Sequence, residues 1–319
     1  MRILIVGAAG DGRTEASVAR AARQLGHDAQ VLDALGWRRR LGALAPWWLR
    51  WQADAFAPDL VLCTRHAASV GAGHLPKLLR RRRSAFWYFD APSPLPAPVA
   101  QLATLVDQAF ATYGYQRDAF RALGAEGAQF LPQGADPMLD TPADSAPAGW
   151  QCDLSFVGSG QYPRRHAILA AFGAACRLQV RGPQWDNVPE GVPVVGGAVR
   201  GRDFARAVRG AAVSLGVDAL EAQRQERLGG TSNRLWRVLA SGGVFLGEAV
   251  AGLEQFARDG EHALFYDGIE DGLARLRALL ADEGLRRRLA SAGRAHVMAR
   301  HTYADRLELL LQGRGYTST

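Results

Sequence analysis

The chain has 319 residues, of which 48% are hydrophobic and 22% charged, and a formal net charge of +7. That length predicts about two domains of roughly 100–200 residues each, and the apolar fraction excludes a disordered chain. Three scattered cysteines, Cys63, Cys152 and Cys176, exclude a disulfide framework and a paired-cysteine zinc site. No apolar run reaches the ~18 residues of a membrane helix. The opening MRILIVG turns polar at once, so it reads as a buried strand rather than a secretory signal. A reducing, cytoplasmic setting is expected. Every basic residue except Lys77 is arginine, and Arg80–Arg83 is the densest run. No nucleic-acid motif accompanies this charge, so it predicts a solvated surface or attraction to a phosphorylated small molecule, and no nucleic-acid partner.

In chain order, Arg2–Val6 is an apolar run of the kind that forms a central parallel strand. The glycine-rich GAAGDG follows (Gly7–Gly12), then a helix over Thr14–Leu25 and a strand over Ala29–Leu32 that ends at Asp33. The segment PWWLRWQ, with Trp47, Trp48 and Trp51, is expected to pack a helix onto the domain. If exposed, it would suggest a lipid-linked or peptide acceptor. Further strands are predicted over Asp59–Cys63, Ala85–Phe89, Gln108–Thr112 and Ala128–Leu131. Asp140–Gly149 (DTPADSAPAG) lacks periodicity and is the best linker candidate. Beyond it the alternation restarts. Strands are predicted over Cys152–Val157, Leu178–Arg181, Pro193–Val195, Ala212–Gly216 and Val244–Leu246. Helices are predicted over Arg164–Ala175, Asp271–Ala281 and Gly284–Gln312, the last with a break near Thr302. This pattern is α/β, with two Rossmann-like domains over 1–145 and 146–319 and a cleft between them; the last helix is a candidate to pack back on the first domain.

Three segments carry chemistry. GAAGDG with Asp33 resembles the opening of a dinucleotide site, but its glycines fall at 7, 10 and 12 rather than in G-x-G-x-x-G. Gly158-Ser159-Gly160, after a strand and before Arg164-Arg165, suits a diphosphate; a plain turn before a solvated helix start is the other reading. In GGTSNRLWRVLASGG (Gly229–Gly243), Thr231, Ser232 and Asn233 are N-cap types. Arg234 then places a cation in the first helical turn, against the helix dipole, which a bound anion would neutralise.

Taken in order, several elements resemble the GT-B-fold glycosyltransferases, specifically the spore-maturation-protein-like branch of the group-1 type. They are YFDAP (Tyr88–Pro92), LPQGADP (Leu131–Pro137), CDLSFVGS followed by RR, and RGPQW (Arg181–Trp185). TSNRLWRVLASGG, the tail from GLEQFARDG to RRRLASAG, and HTYADR (His301–Arg306) complete the series. The likeness is collinear from about residue 85 to 310. It implies metal-independent transfer of a sugar from a nucleotide-diphosphate donor, of uridine or thymidine type, with no cofactor. The donor would bind the C-terminal domain at Gly158, Ser159, Arg164, Arg165, Gly182, Trp185, Thr231, Ser232, Asn233, Arg234 and Arg237. The acceptor, whether small molecule, glycan, peptide or lipid-linked, would lie against the N-terminal domain.

Trp185 would stack on the base or else belong to the core. One departure from the family pattern is Arg237, where related enzymes carry a glutamate that binds the donor ribose; Glu248 or Glu254 is a candidate substitute. An inverting mechanism would need a base on the N-terminal domain, and Asp11, His66 and Asp90 are the candidates. Two other functions fit parts of the chain. One is a non-catalytic sugar-nucleotide or glycan-binding protein of the same fold, favoured by Arg237. The other is an NAD(P)-dependent oxidoreductase using GAAGDG and Asp33, which leaves the second half unexplained.

Overall fold

The computed structural model describes residues 1–91, 94–188, 190–219 and 229–317. The chain divides into two compact units, one of Met1–Gln133 with Tyr303–Thr317, the other of Gly134–Thr302. The first unit contains β1 (Arg2–Gly7), α1 (Thr14–Gln24), β2 (Asp28–Asp33), α2 (Ala34–Leu41), α3 (Ala45–Phe56) and β3 (Leu60–Cys63). It continues through α4 (Leu75–Leu79), β4 (Arg83–Tyr88), α5 (Ala97–Leu105), β5 (Gln108–Ala111), α6 (Gly114–Ala122) and β6 (Gln129–Phe130). Its six strands form a parallel sheet in the order β2-β1-β3-β4-β5-β6.

The apolar run at β1 is continuous because both faces of the sheet are covered. Leu4 and Val6 join one buried cluster with Leu49, Phe86 and Phe120. Ile3 and Ile5 join the opposite cluster with Val18, Trp87 and Leu307.

The second unit contains β7 (Cys152–Val157), α7 (Pro163–Ala175), β8 (Leu178–Arg181), β9 (Val194–Gly196), α8 (Arg202–Gly210) and β10 (Ala211–Leu215). After these come α9 (Arg234–Ala240), β11 (Phe245–Glu248), β12 (Leu264–Tyr266), α10 (Ile269–Ala281) and α11 (Glu283–Arg300). The sheet is again parallel, in the order β12-β11-β10-β7-β8-β9. β12 has no counterpart among the expected strands. Its three residues lie in a short apolar stretch between polar turns, too brief for periodicity to single out.

The division between units falls at Gln133/Gly134, ahead of the stretch expected as a linker and of the expected boundary at 145/146. The physical reason is that Asp136 and Asp140 are folded into the second unit. Asp140 is 2% exposed and its Oδ2 accepts from the Asp136 amide at 3.0 Å. Within the second unit its first and last residues lie side by side. The Ala135 amide donates to the His301 carbonyl at 2.9 Å, and a Cβ on Gly134 would come within 2.7 Å of the Thr302 backbone. The final helix, α12 (Tyr303–Leu311), belongs to the first unit and buries Tyr303, Leu307 and Leu310 beside α1. Its Arg306 is fully buried, donating to the carbonyls of Pro132 and Gln133 and to the Tyr316 hydroxyl.

Candidate functional site

In open α/β sheets, ligands bind beyond the carboxyl ends of the strands where the strand order reverses. In the second unit that reversal lies between β7 and β10. The loop after β7 carries Gly158, Ser159 and Gly160, and the loop after β10 carries Val217 and Asp218. Arg165 spans the two, donating to the Ser159 carbonyl at 2.9 Å and the Val217 carbonyl at 3.2 Å. Arg164 grips both oxygens of Glu248 at the end of β11, with Nη1 to Oε2 at 2.8 Å, and also reaches the Asp218 carbonyl at 3.2 Å. The same Oε2 of Glu248 also accepts from the Asp218 amide at 2.6 Å.

Arg234, at the first position of α9, donates through Nε to the Val157 carbonyl at 2.8 Å. Its guanidinium lies 4.6 Å from the centre of the Phe156 ring, and that of Arg165 lies 5.5 Å from it. Two guanidiniums, those of Arg165 and Arg234, therefore lie on the end of β7, and that of Arg164 is held at Asp218 and Glu248. A Cβ on Gly158 would sit 2.7 Å from Arg234 Nη2. The missing side chain is what lets this guanidinium lie directly on the loop backbone.

Among the described residues, Asp218 and Glu248 are the carboxylates within this cluster. Asp218 is buried, and its carboxyl is pushed up to about 7. Burial is the main cause and the Glu248 charge adds to it, against the downward pull of Arg165, Arg234 and Arg164. Sequence reasoning overlooked Asp218. Its one signal was its place just after the strand over Ala212–Gly216. Glu248, considered as a ribose ligand, is instead committed to Arg164 and the Asp218 amide. Glu254 is exposed and lines a separate cavity of about 310 Å³ with Leu253, Phe265 and Arg275.

The remaining residues expected to hold the donor divide into supports and outliers. Gly182 has φ +154°, and a Cβ there would fall 1.8 Å from the Gly158 carbonyl oxygen, so glycine is needed for the β7 and β8 loops to meet. Of the two readings of Trp185, the structure gives the core one. The ring is 8% exposed, and its indole N–H donates to the Gly158 carbonyl at 3.0 Å. Ser159 is held by Gln184, Oγ to Oε1 at 2.8 Å.

The side-chain cap of α9 comes from Ser232, whose Oγ accepts from the Arg234 amide at 3.2 Å; Asn233 makes no such cap, and Thr231 is buried. Arg237 does not join the cluster. Its Nε donates to Asp140 Oδ1 at 2.8 Å, and its guanidinium lies 3.9 Å from the centre of the Phe204 ring.

In the first unit the reversal lies at β1, which has β2 on one side and β3 on the other. His66 and Asp90 come together here through Arg65. Arg65 Nη1 pairs with Asp90 Oδ2 at 2.9 Å, and Arg65 Nε donates to His66 Nε2 at 3.2 Å. Burial raises the Asp90 carboxyl above its ordinary range, with Arg65 opposing and the Glu15 charge assisting. Burial and the Arg65 charge lower the His66 imidazole, so it is neutral at neutral pH. The arginine contact makes Nε2 the acceptor nitrogen.

Asp11 is exposed, and its carbonyl, not its carboxylate, is engaged, by Arg20. Pro92 of YFDAP lies outside the described residues. Glu15 and Thr64 were not anticipated. Glu15 is 5% exposed, and its Oε1 accepts from Thr64 Oγ1 at 2.8 Å and the Ala8 amide at 3.3 Å. A Cβ on Gly7 would strike this pair at 2.5–2.7 Å, so the first glycine of GAAGDG serves packing. Asp33, the expected ribose acid of the dinucleotide reading, accepts through one oxygen from the Gly36 amide at 3.0 Å and the Ala9 amide at 3.1 Å. It caps α2 and ties down the glycine loop.

Residues 164–312 match the glycosyl transferase-like family. No curated protein matches the chain by sequence. Among solved structures, the chain is similar to Anabaena HepE crystallised with UDP-glucose (TM-score 0.68, 14% identity, 98% of this chain and 100% of that one). It is also similar to sucrose-phosphate synthase from Thermosynechococcus elongatus (0.65, 13%, 98% of each chain). A third is a glycosyltransferase from Rickettsia africae (0.66, 10%, 98% of this chain and 97% of that one). The chain has the two-unit fold of the GT-B glycosyltransferases. The matched stretch includes Arg164, Arg165 and Arg234 and runs from the second unit into α12 of the first. Among the described residues, no helix is long and apolar enough to cross a membrane.

Proposed function

We propose that the protein is a glycosyltransferase that takes its sugar from a nucleoside-diphosphate donor, of uridine or thymidine type, held on the second unit. The observation that carries this reading is the placing of Arg165 and Arg234 on the backbone of the Gly158 loop, with Arg164 at the adjoining Asp218, at the β7/β10 reversal and within the stretch that matches the glycosyl transferase-like family. HepE, of the same fold, was crystallised with UDP-glucose, which supports a uridine donor.

In the transfer, the bond between the anomeric carbon and the diphosphate oxygen breaks, and its electron pair leaves with the diphosphate. Fixed guanidiniums and the Gly158 backbone stabilise that developing charge, in the role a metal ion plays elsewhere, so the reaction is proposed to be metal-independent. The acceptor hydroxyl forms the new bond and gives its proton to a base. The first unit offers Asp90 and the neutral His66 for that task, both held by Arg65. The three cysteines are free, which fits a reducing compartment, and we place the protein in the cytoplasm.

A thermal-shift screen against nucleoside diphosphates and their sugars tests the assignment. Stabilisation by UDP or dTDP compounds, and not by NAD, is expected. A response to NAD alone would overturn it. One observation favours a second reading, a donor-binding protein without turnover. Arg237, paired with Asp140, leaves no acid at that position of α9 to hold a ribose. Slow hydrolysis of the bound donor would exclude that reading.

A further inference from the structure

In the first unit, α3 buries Leu49, Ala53 and Phe56 against the sheet. At spacings of three and four residues, its other face presents Trp47, Arg50, Trp51 and Asp54. Trp47 is 60% exposed and Trp51 59%, with Leu44 beside them at 67%. Trp48 was expected to pack inward with its neighbours; it alone is half-buried, between Trp37 and Trp51.

The Trp47 ring lies 5.0 Å from that of His74, which opens α4. Lys77 on α4 and the following turn, Arg80–Arg82, join Arg50 and Asp54 around a cavity of about 520 Å³. Five cations thus face one carboxylate, and Asp54 is already met by Arg82 and Arg50. Among the described residues, Lys77, Arg80 and Arg81 have no carboxylate partner. Arg81 also holds a left-handed backbone, φ +63°, a conformation that favours glycine. Arg81 lines the same rim.

We propose that this face docks on an anionic lipid bilayer, with lipid phosphates in the basic cavity and Trp47, Trp51 and Leu44 in the headgroup layer. Indole rings favour that layer because one edge is apolar and the N–H is polar. Clustered arginine and lysine supply the attraction to acidic lipid. Charge argues against a second copy of this chain as occupant, since a two-fold contact would set the same cations against one another. The surface does not depend on the donor assignment in the second unit.

The test is co-sedimentation of the full chain with vesicles of phosphatidylcholine alone or mixed with phosphatidylglycerol. Partition onto the acidic vesicles should be at least about tenfold stronger and should fall with salt. The double variants Trp47→Ser/Trp51→Ser and Arg80→Ser/Arg81→Ser should each lose about tenfold of it, with unchanged circular dichroism. Equal partition onto both vesicle types, or unchanged binding by both variants, would overturn the proposal. So would saturation of the cavity by free glycerol phosphate without vesicle binding, preferential retention of an RNA oligonucleotide, or a Trp47-dependent dimer in place of vesicle binding.

Discussion

Arg237 and Asp140 form an ion pair at 2.8 Å between residues 97 apart in sequence, with the carboxylate 2% exposed. The second Asp140 oxygen is taken by the Asp136 amide, so the pair fastens the start of the second unit to α9. Removing one partner would leave the other charged and buried. Arg237→Ala should cost about 3 kcal/mol of stability in urea unfolding. Arg237→Glu, which places two carboxylates together, should cost more, and adding Asp140→Ala should recover part of the loss. Equal stability of Arg237→Glu and the parent would contradict this role.

Asp218 gives the second unit an unusual pH response. Its carboxyl stands at about 7 in the fold and near 3.9 when unfolded. The folded state therefore binds the proton more tightly, and ionising Asp218 above pH ~7 destabilises it. This group's contribution to stability should rise as pH falls from about 8 to about 4 and level off below. Chemical denaturation across that range should show a smaller gain on acidification for Asp218→Asn. Parallel curves for variant and parent would remove Asp218 as the cause.

In the first unit, Asp90→Asn should abolish transfer while leaving donor affinity unchanged, because its partners are Arg65 and the surroundings of His66. If Asp90 is the base, kcat/KM should fall on the acid side with an apparent pKa above an ordinary aspartate's ~4. Wild-type turnover by Asp90→Asn would shift the assignment to His66, whose replacement by Ala would then be the one to stop transfer.

In the proposed transfer guanidiniums carry the leaving-group charge, so metal removal should leave the rate unchanged. Turnover measured in excess EDTA checks this. A loss that added Mg²⁺ or Mn²⁺ restored would contradict it.

Much of the fold was legible in the sequence because its strands are short apolar-rich runs that end at a glycine, continuous at β1 and broken by Asp153 and Ser155 at β7 and by Gln179 at β8. β12 was not, since three apolar residues carry no period. The linker reading of Asp140–Gly149 failed for a different reason. Proline and alanine there looked unstructured, but burial of Asp140 depends on Arg237, a partner no local pattern reveals. Arg164, Arg165 and Arg234 stand out in the sequence because each follows a strand-end glycine loop or opens a helix, and the structure brings all three near Asp218. Asp218, Glu15 and Thr64 were not, because their meaning comes from contacts across the sheet. Gly182 and Trp185 were expected as donor contacts, and the structure sets both against the Gly158 carbonyl, a contact across two loops that no local pattern announces.

The claim on which the function rests is that Arg234, on the Gly158 loop, holds the diphosphate of the donor. Isothermal titration of UDP into the parent chain and into Arg234→Ala tests it most directly. Saturable binding by the parent, weakened at least about tenfold in the variant, is the predicted result, as expected for loss of a charged hydrogen bond. Equal affinity in the two proteins would contradict it.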